Sequence, residues 1–207
     1  MTCSPSFNAL AGEALAAHNG DMAEKTHQTA VVLIPPQEVW EPIQAIRRVH
    51  DRQVRRWMPH VTLLYPFVPR EAFDAAEARL RQALADLEPF DVRLKEFHYF
   101  HHGRGRHTLW LAPEPAEAMR RLQASLQSAV PECNDVSRRG DGFTPHLSVG
   151  QVTGRDDMLA LKDGLQGSWS AMDGLTFTAK HVSMIWRDPK PDDVFRVDRE
   201  IPLGGKT

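Results

Sequence analysis

The stretch Trp57-Met58-Pro59-His60-Val61-Thr62-Leu63-Leu64-Tyr65-Pro66-Phe67 decides how this chain is interpreted, because a second stretch repeats its pattern. The repeat is Phe143-Thr144-Pro145-His146-Leu147-Ser148-Val149-Gly150. Each copy places a proline before a histidine, then an apolar residue, a hydroxyl residue and further apolar residues. Because successive side chains of a β-strand point to opposite faces, each histidine shares a face with the hydroxyl residue two positions on. The sequence therefore predicts two strands that each present a histidine beside a hydroxyl.

A histidine followed two positions later by serine or threonine is not a specific pattern by itself. Four of the ten histidines satisfy it, and the other two are His27 and His181. His60 and His146 differ from these because each follows a proline and begins an apolar strand at the same place in a repeated unit. A partly buried histidine that hydrogen-bonds a nearby hydroxyl explains either one alone. That alternative leaves the match between the two unexplained.

Composition and charge limit the class of protein. The chain has 207 residues, of which 42% are hydrophobic and 25% are charged, as in an ordinary globular protein. A formal net charge of −2 gives no overall attraction to nucleic acid or to an anionic membrane, so any basic site must be local. Cys3 and Cys133 do not form a disulfide framework, and no apolar run approaches the roughly 20 residues of a membrane span. We expect a cytoplasmic protein without membrane association and without an obligate protein partner.

Hydrophobic periodicity divides the chain into alternating strands and helices. Short apolar runs predict strands, and apolar residues three to four positions apart predict helices. On the helix predicted at 39–51, this spacing places Arg47 on the outer face. Besides the two histidine strands, the predicted strands are 29–34, 90–100, 108–112, 175–186 and 194–201, and the predicted helices are 39–51, 70–87, 116–130 and 156–165.

The order strand, helix, histidine strand, helix, long strand occurs twice along the chain. The first copy covers about 29–101 and the second about 106–202. We therefore predict a single bilobal α+β domain over residues 27–207. Its two pseudo-twofold-related lobes each contain an antiparallel-type sheet with outer helices, and the histidine strands face a central cleft. Residues 1–26 are predicted to form a flexible N-terminal tail.

Aromatic and basic residues beside the motifs are further candidates for substrate binding. Tyr65 extends from the first motif and Phe143 precedes the second, and an aromatic ring can stack on a nucleobase. Strict alternation puts Tyr65 on the face of Val61, so packing in the core is the stronger expectation for it. Arg138 and Arg139 lie in a glycine-containing loop and can bind a phosphate in a fork. Solvation at the surface is the alternative for both arginines.

The segment 98–107 contains four histidines and invites a metal hypothesis. No cysteine or carboxylate accompanies them at a familiar ligand spacing, so we predict no metal and no cofactor. Its basic run at 103–106 is an alternative contact for an RNA backbone. An exposed basic hairpin tip is the expected structure.

The two motifs resemble those of the two-histidine (2H) phosphoesterases, which include 2'-5' RNA ligase-like and cyclic phosphodiesterase-like proteins. The mark of this superfamily is a pair of His-x-Thr/Ser motifs in the two halves of an α+β fold, and the resemblance covers about 29–202. It implies that His60 and His146 are the catalytic residues and that Thr62 and Ser148 bind the phosphate. It also implies a substrate that is a 2',3'-cyclic phosphate of a nucleotide or of an RNA terminus, which is hydrolysed to a 2'-phosphate.

Two histidines suit this chemistry because imidazole holds or releases a proton near its ordinary pKa of about 6.5. One histidine can deprotonate water while the other protonates the departing alkoxide, and each such transfer contributes roughly 10²–10⁴-fold. Hydroxyl groups can stabilise the charge on the non-bridging oxygens. We expect His60 to be the acid and His146 the base, and the reverse stays open. Two other functions also stay open, which are 2'-5' RNA ligation by the same residues and a non-catalytic nucleotide- or RNA-binding module.

Overall fold

The computed structural model describes residues 24–138 and 142–205, and over these residues the chain is an α+β protein. Its strands are β1 (Thr29–Leu33), β2 (Val61–Leu64), β3 (Phe90–His101), β4 (Arg106–Glu114), β5 (Leu147–Thr153), β6 (Leu175–Ala179), β7 (His181–Trp186) and β8 (Arg196–Pro202). Its helices are α1 (Trp40–His50), α2 (Phe73–Leu84), α3 (Ala116–Ala129) and α4 (Arg155–Ala171), and 3-10 turns at Gln37–Val39 and Arg70–Ala72 precede α1 and α2. The predicted α+β class is confirmed.

Helix α4 continues six residues beyond its predicted end at Leu165. Gly164 and Gly167 lie close to the predicted end and weaken a helix, which is why the periodicity predicts an earlier end. Contacts with β3 hold the extra turns in place. The indole Nε1 of Trp169 donates a hydrogen bond to the carbonyl of Leu94 at 2.7 Å, and the amide of Gln166 donates to the carbonyl of Lys95 at 3.0 Å.

All eight strands belong to one antiparallel sheet in the order β6-β3-β4-β5-β2-β1-β7-β8. The histidine strands β2 and β5 are neighbours at its centre, where a single residue pair, Val61 and Leu147, joins them. The prediction that each lobe has a sheet of its own is therefore wrong. The two predicted repeats also interleave in the sheet, because β3 lies beside β4 while β7 lies beside β1.

The main hydrophobic core lies between one face of the sheet and the helices. Helix α2 contributes Phe73, Leu80 and Leu84, and helix α3 contributes Leu122 and Leu126, all at most 1% exposed. This helical spacing is the one that the sequence shows, and full burial of each such side chain contributes about 1.5–3 kcal/mol.

The opposite face carries a smaller apolar cluster. Ala30 and Val32 of β1 pack there with Ile185 and Phe195, and Trp57 lies against them. The histidines belong to this second face, because the residues next to them in sequence, Val61 and Leu147, point into the main core.

Two residues of the predicted N-terminal tail, Lys25 and Thr26, have defined partners in the fold. Thr26 pairs with Phe67, and its N–H donates to the Phe67 carbonyl at 2.7 Å. The Lys25 ammonium donates to the carbonyl of Glu132 at 2.8 Å and pairs with Asp135. The rest of the predicted tail, residues 1–23, lies outside the described residues. None of the helices over 24–138 and 142–205 is long and apolar enough to cross a membrane.

Candidate active site

Backbone pairing between β2 and β5 brings the two motifs together. Val61 lies opposite Leu147 in antiparallel register, and His60 and His146 each come one residue before this pair. Val61 and Leu147 are buried in the main core, so the residues on either side of them point to the opposite face. His60, Thr62, His146 and Ser148 therefore share one face at the centre of the sheet.

Each imidazole is held in the same way by its own backbone. Nδ1 of His60 lies 2.7 Å from the carbonyl oxygen of Met58, and Nδ1 of His146 lies 2.8 Å from that of Thr144. A carbonyl oxygen only accepts, so Nδ1 carries the proton and donates it in both rings. This leaves the lone pair of Nε2 available on each histidine. The proline between each carbonyl and its histidine restricts the backbone of this short turn.

The site disfavours the charged form of both histidines. Burial lowers the pKa of His60 to about 4, although its hydrogen bond to Met58 acts in the opposite direction. The Arg47 guanidinium and His146 lower this pKa further, and Asp51 raises it. Burial also lowers the pKa of His146, again opposed by its backbone hydrogen bond to Thr144, and the nearby His102 adds to the lowering.

A wall of aromatic rings supports His60. The His60 ring stacks on Trp57 with ring centres 4.7 Å apart and planes 18° apart. On its far side Trp57 stacks on Phe195 at 3.7 Å. Because flat rings packed in series have little freedom to turn, this arrangement fixes the plane of the His60 imidazole.

A second aromatic wall lies beside His146, on β3 and β4. Phe100 meets the His146 ring edge-on at 5.0 Å and stacks on Trp110 at 4.9 Å, and Trp110 stacks on His98 at 5.0 Å. Trp110 pairs with both His98 and Ser148 across the sheet, which puts these rings on the face of the histidines. Sequence analysis missed Phe100 and Trp110 because only the register of β3, β4 and β5 reveals their position.

The chain matches the model of a known protein family. Residues 35–191 match the family model of the 2'-5' RNA ligase superfamily. The chain belongs to this superfamily. The resemblance that the two His-x-Thr/Ser motifs indicated is thereby confirmed, and membership in a superfamily of phosphoesterases and ligases supports an enzyme of the phosphoesterase type.

Two curated relatives are distant in sequence. A Geobacillus kaustophilus protein named "putative phosphoesterase" is 25% identical over 122 residues, which cover 58% of this chain and 67% of the relative. A Bacillus licheniformis protein with the same description is 24% identical over 128 residues, which cover 61% of this chain and 72% of the relative.

Solved structures share the fold of this superfamily member over most of its length. TT0787 of Thermus thermophilus has a TM-score of 0.57 at 21% identity, and the match covers 87% of this chain and all of that one. LigT of Escherichia coli, solved with 3'-AMP, has a TM-score of 0.56 at 14% identity, with 87% and 99% covered. At these identities the likeness establishes the fold.

In this superfamily member, Tyr65 does not lie on the core face that strict alternation assigns to it. Val31 pairs with Leu64 while Val32 pairs with Thr62, so β2 carries one extra residue, Leu63. Leu63 and Leu64 both enter the main core as a result, and Tyr65 packs on the smaller cluster instead. Its ring meets Trp57 edge-on at 5.6 Å. A β-bulge of this kind shifts every later side chain to the other face, and a sequence pattern does not show it.

Phe143 and Arg138, two other candidates for substrate binding, have partners away from the superfamily motif. Phe143 is buried in the main core with 8% of its surface exposed, so it is not available to stack on a ligand. The exposed Arg138 pairs with Asp135 at 3.4 Å. Arg139 lies outside the described residues.

Arg47 is buried, although helical periodicity places it on the outer face of α1. Its guanidinium and the Asp51 carboxylate form an ion pair at 2.8 Å, and their side chains are 2% and 3% exposed. The Nη2 of Arg47 also donates to the Trp57 carbonyl at 2.9 Å. A charged residue four positions away and a loop carbonyl thus supply the partners that a buried guanidinium needs.

Two of the four histidines of segment 98–107, His101 and His107, pair across the β3–β4 hairpin of this superfamily member with ring centres 5.1 Å apart. His98 stacks on Trp110, whereas His102 hydrogen-bonds the Thr108 hydroxyl through Nε2 at 2.9 Å. His107 is buried. Within 24–138 and 142–205, no three histidine, cysteine, aspartate or glutamate side chains are grouped in a way that would hold a metal ion.

Proposed function

We propose that this protein is a metal-independent phosphodiesterase that hydrolyses 2',3'-cyclic phosphates of nucleotides or RNA ends to 2'-phosphates. One observation carries the proposal. His60 and His146 share one face of the sheet, and a backbone carbonyl fixes the Nδ1 proton of each, so two Nε2 atoms are free for proton transfer. Thr62 and Ser148 belong to the same face and are the donors for the non-bridging phosphate oxygens.

In the proposed reaction, Nε2 of one histidine takes a proton from water as the water oxygen attacks phosphorus. The bond between phosphorus and the 3'-oxygen breaks, and Nε2–H of the other histidine donates its proton to that oxygen. The products are a 2'-phosphomonoester and a free 3'-hydroxyl, so one water is consumed. The base then returns its proton to solvent, and the acid regains one, which restores the starting enzyme.

We assign the base to His60 and the acid to His146, the reverse of the expectation from sequence. A general acid must hold a proton before the reaction, and a pKa of about 4 leaves His60 without one at pH 7. The Arg47 guanidinium contributes to this preference for the neutral ring. An anionic phosphate bound between the rings favours the charged form of both imidazoles. The Arg47 guanidinium opposes this at His60, so His146 is the ring that takes up a proton from solvent.

The aromatic walls support a nucleotide as the substrate class. Tyr65 on one side and Phe100 on the other are the partly exposed rings of the two walls. Trp57 is stacked between His60 and Phe195, and Trp110 is buried behind Phe100. A nucleobase stacked on such a ring gains roughly 1–3 kcal/mol. The fold relative LigT was solved with 3'-AMP, which is a nucleotide of the proposed class.

The proposal includes a pseudo-twofold relation between the two motifs, with its axis at the Val61–Leu147 pair. Support comes from the antiparallel register, from the equal positions of His60 and His146 relative to this pair, and from their equivalent backbone hydrogen bonds. A single domain over 27–207 with repeats at about 29–101 and 106–202 remains part of it. The cytoplasmic location and the lack of an obligate partner stay predictions.

Ligation is the second candidate, because the family model that matches residues 35–191 is that of the 2'-5' RNA ligase superfamily. Formation of a 2'-5' linkage is the reverse of cleavage by the same two histidines, with a ribose hydroxyl in place of water. Incubation with an RNA that ends in a 2',3'-cyclic phosphate and a second RNA with a free 5'-hydroxyl separates the two activities. Hydrolysis leaves the length of both RNA strands unchanged, whereas ligation joins them into a longer strand.

Product analysis with nucleoside 2',3'-cyclic phosphates in the presence of EDTA tests the proposal. We expect wild type to give the 2'-phosphate, and His60→Ala and His146→Ala each to lose about a hundredfold or more in rate. His181→Ala is the matched control, because His181 also precedes a serine by two positions but pairs with Glu200 at 3.2 Å. We expect this variant to retain wild-type activity.

Three results would contradict the proposal in different ways. Loss of activity with EDTA would show a metal-dependent reaction. Turnover that survives both histidine substitutions would exclude the two-histidine mechanism. Nucleotide binding without turnover by wild type would favour the binding module.

A further inference from the structure

The sheet itself does little to fix the distance between the two histidines. β2 and β5 share only the pair Val61–Leu147, whereas every other pair of neighbouring strands in the described chain shares three or more residue pairs. His60 and His146 stand next to this single connection. Contacts outside the hydrogen-bond ladder must therefore determine how far apart the two imidazoles lie.

The C-terminal end of α1 rests directly on the strand of His146. A Cβ atom built onto Gly150 of β5 would lie 2.7 Å from the Cβ of His50 and 3.2 Å from the His50 carbonyl oxygen. Any side chain at position 150 would therefore push the helix away from the strand. This close approach places the residues that follow α1 against β5.

A hydrogen-bond network continues from this contact. The Asp51 carboxylate accepts a hydrogen bond from the Gln151 side-chain amide at 3.1 Å and from the N–H of Gln53 at 2.8 Å, and its other oxygen accepts from Nε of Arg47 at 2.8 Å. The side-chain oxygen of Gln151 in turn accepts from the N–H of Arg52 at 2.9 Å. Gln151 of β5 is thereby bound to both the backbone and the carboxylate at the end of α1.

The same network ends at the other histidine. Arg47 donates to the Trp57 carbonyl at 2.9 Å, and the Trp57 ring stacks on His60 at 4.7 Å. A continuous series of contacts therefore leads from Gln151, on the strand of His146, through Asp51 and Arg47 to the ring of His60. The Arg47–Asp51 ion pair is almost fully buried, so displacement of either partner would leave a buried charge without compensation. This cost restricts the positions that both side chains can adopt.

We propose that Arg47, Asp51 and Gln151 form a positioning clamp that sets the separation and orientation of His60 and His146 across the single connection between β2 and β5. The catalytic consequence rests on the proposed function, but the structural effect on His60 does not. None of the three residues is proposed to touch the reacting atoms. Arg47 and Asp51 also act on the charge of His60, since one lowers its pKa and the other raises it.

Gln151→Ala tests the clamp because it removes the connection to β5 without leaving a buried charge unpaired on the substituted residue. Gln166→Ala is a matched control. Gln166 of α4 also bridges two parts of the chain, accepting from the N–H of Phe97 at 2.8 Å and donating to the Lys95 carbonyl at 3.0 Å. Both variants lose a glutamine that accepts one backbone N–H through its side-chain oxygen and donates through its amide nitrogen.

Two measurements, both made below the melting temperature of each variant, distinguish an effect on the position of His60 from a loss of overall stability. The first is kcat and KM on a nucleoside 2',3'-cyclic phosphate, for which we expect kcat of Gln151→Ala to fall about ten- to a hundredfold and kcat of Gln166→Ala to stay at the wild-type value. The second is the NMR shift of the carbon-bound ring protons of His60, which the stacked Trp57 ring displaces. We expect this shift to move toward that of a free imidazole in Gln151→Ala and to remain unchanged in Gln166→Ala.

The two readouts separate failure of the clamp from failure of the proposed function. An unchanged His60 shift in Gln151→Ala overturns the clamp, whatever the activity. A changed shift with unchanged kcat shows that the contact moves the ring but does not position it for catalysis, which also overturns the proposal. A changed shift in a protein whose wild type turns over no cyclic phosphate supports the clamp and rejects the phosphodiesterase.

Discussion

The two histidines have the same local geometry and different surroundings. Each donates through Nδ1 to the carbonyl two residues before it, yet His60 lies flat on Trp57 whereas His146 meets Phe100 edge-on, with planes 90° apart. Buried charges, Arg47 and Asp51, act on His60, and an exposed histidine, His102, acts on His146. The two motifs thus fix the proton on equivalent Nδ1 atoms, while the neighbouring residues determine how far the pKa of each ring is lowered.

Removal of the buried cation gives the largest expected effect. Arg47→Met leaves the Asp51 carboxylate buried without its partner, and we expect the free energy of unfolding to fall by about 3–5 kcal/mol. Arg138→Met, in the loop before His146, is the matched control. It breaks an exposed pair with Asp135, for which we expect a loss of about 0–1 kcal/mol. Urea denaturation of both variants measures the difference.

A double variant, Arg47→Met with Asp51→Leu, separates charge from shape. Replacement of both charges by apolar side chains of similar size removes the uncompensated carboxylate, so most of the lost stability should return. If Arg47→Met and Arg138→Met lowered the free energy of unfolding equally, the buried ion pair near His60 would be no more important for stability than the exposed pair near His146.

The motifs themselves were predictable from the sequence, because each follows a proline and belongs to an alternating apolar run. Their meeting at the centre of one sheet was not predictable in detail, since the pairing of Val61 with Leu147 depends on strand order. Tyr65 was assigned to the wrong face because the extra residue Leu63 leaves no trace in the pattern. Local periodicity thus finds the strands and helices, but bulges and register decide which side chains surround the site.

Buried charge is the other property that periodicity does not predict. Arg47 occupies a position that helical spacing assigns to solvent, and only its partners Asp51 and Trp57 explain why it is buried. Phe143 shows the opposite case. It lies close to the second motif in sequence, which suggested a ligand contact, but the fold places it in the main core. Both errors arise because distant contacts override the local pattern.

Acidification is expected to lower the free energy of unfolding by less than removal of Arg47 does. The pKa of His60 is about 4 in the folded protein and about 6.5 in the unfolded chain, so the unfolded state binds more protons between these values. The stability due to the neutral ring is therefore complete above pH about 6.5 and is lost as the pH falls toward 4. At about 1.4 kcal/mol per pKa unit, reduced because the ring is half-buried, the loss is on the order of 1–2 kcal/mol.

Comparison of wild type with His60→Gln isolates this contribution from that of the carboxylates. We expect the fall in unfolding free energy between pH 6.5 and 4 to be smaller in the variant, as measured by urea denaturation at several pH values. His146→Gln should act in the same direction, since the pKa of His146 is also lowered. A steeper fall in either variant would mean that the folded protein favours the charged ring.

The smallest effect concerns the exposed neighbour of His146. His102 lowers the pKa of His146 by its charge, and glutamine at position 102 keeps a group that can hydrogen-bond Thr108 while removing that charge. We expect His102→Gln to raise the pKa of His146 and to leave that of His60 unchanged, as followed by NMR titration of the histidine rings. Because His102 is exposed, salt should diminish the difference between variant and wild type, since the screening length falls to about 3 Å at 1 M ionic strength. A difference that persists at high salt would place the interaction inside the protein, and the two histidines would then both be controlled by buried charge.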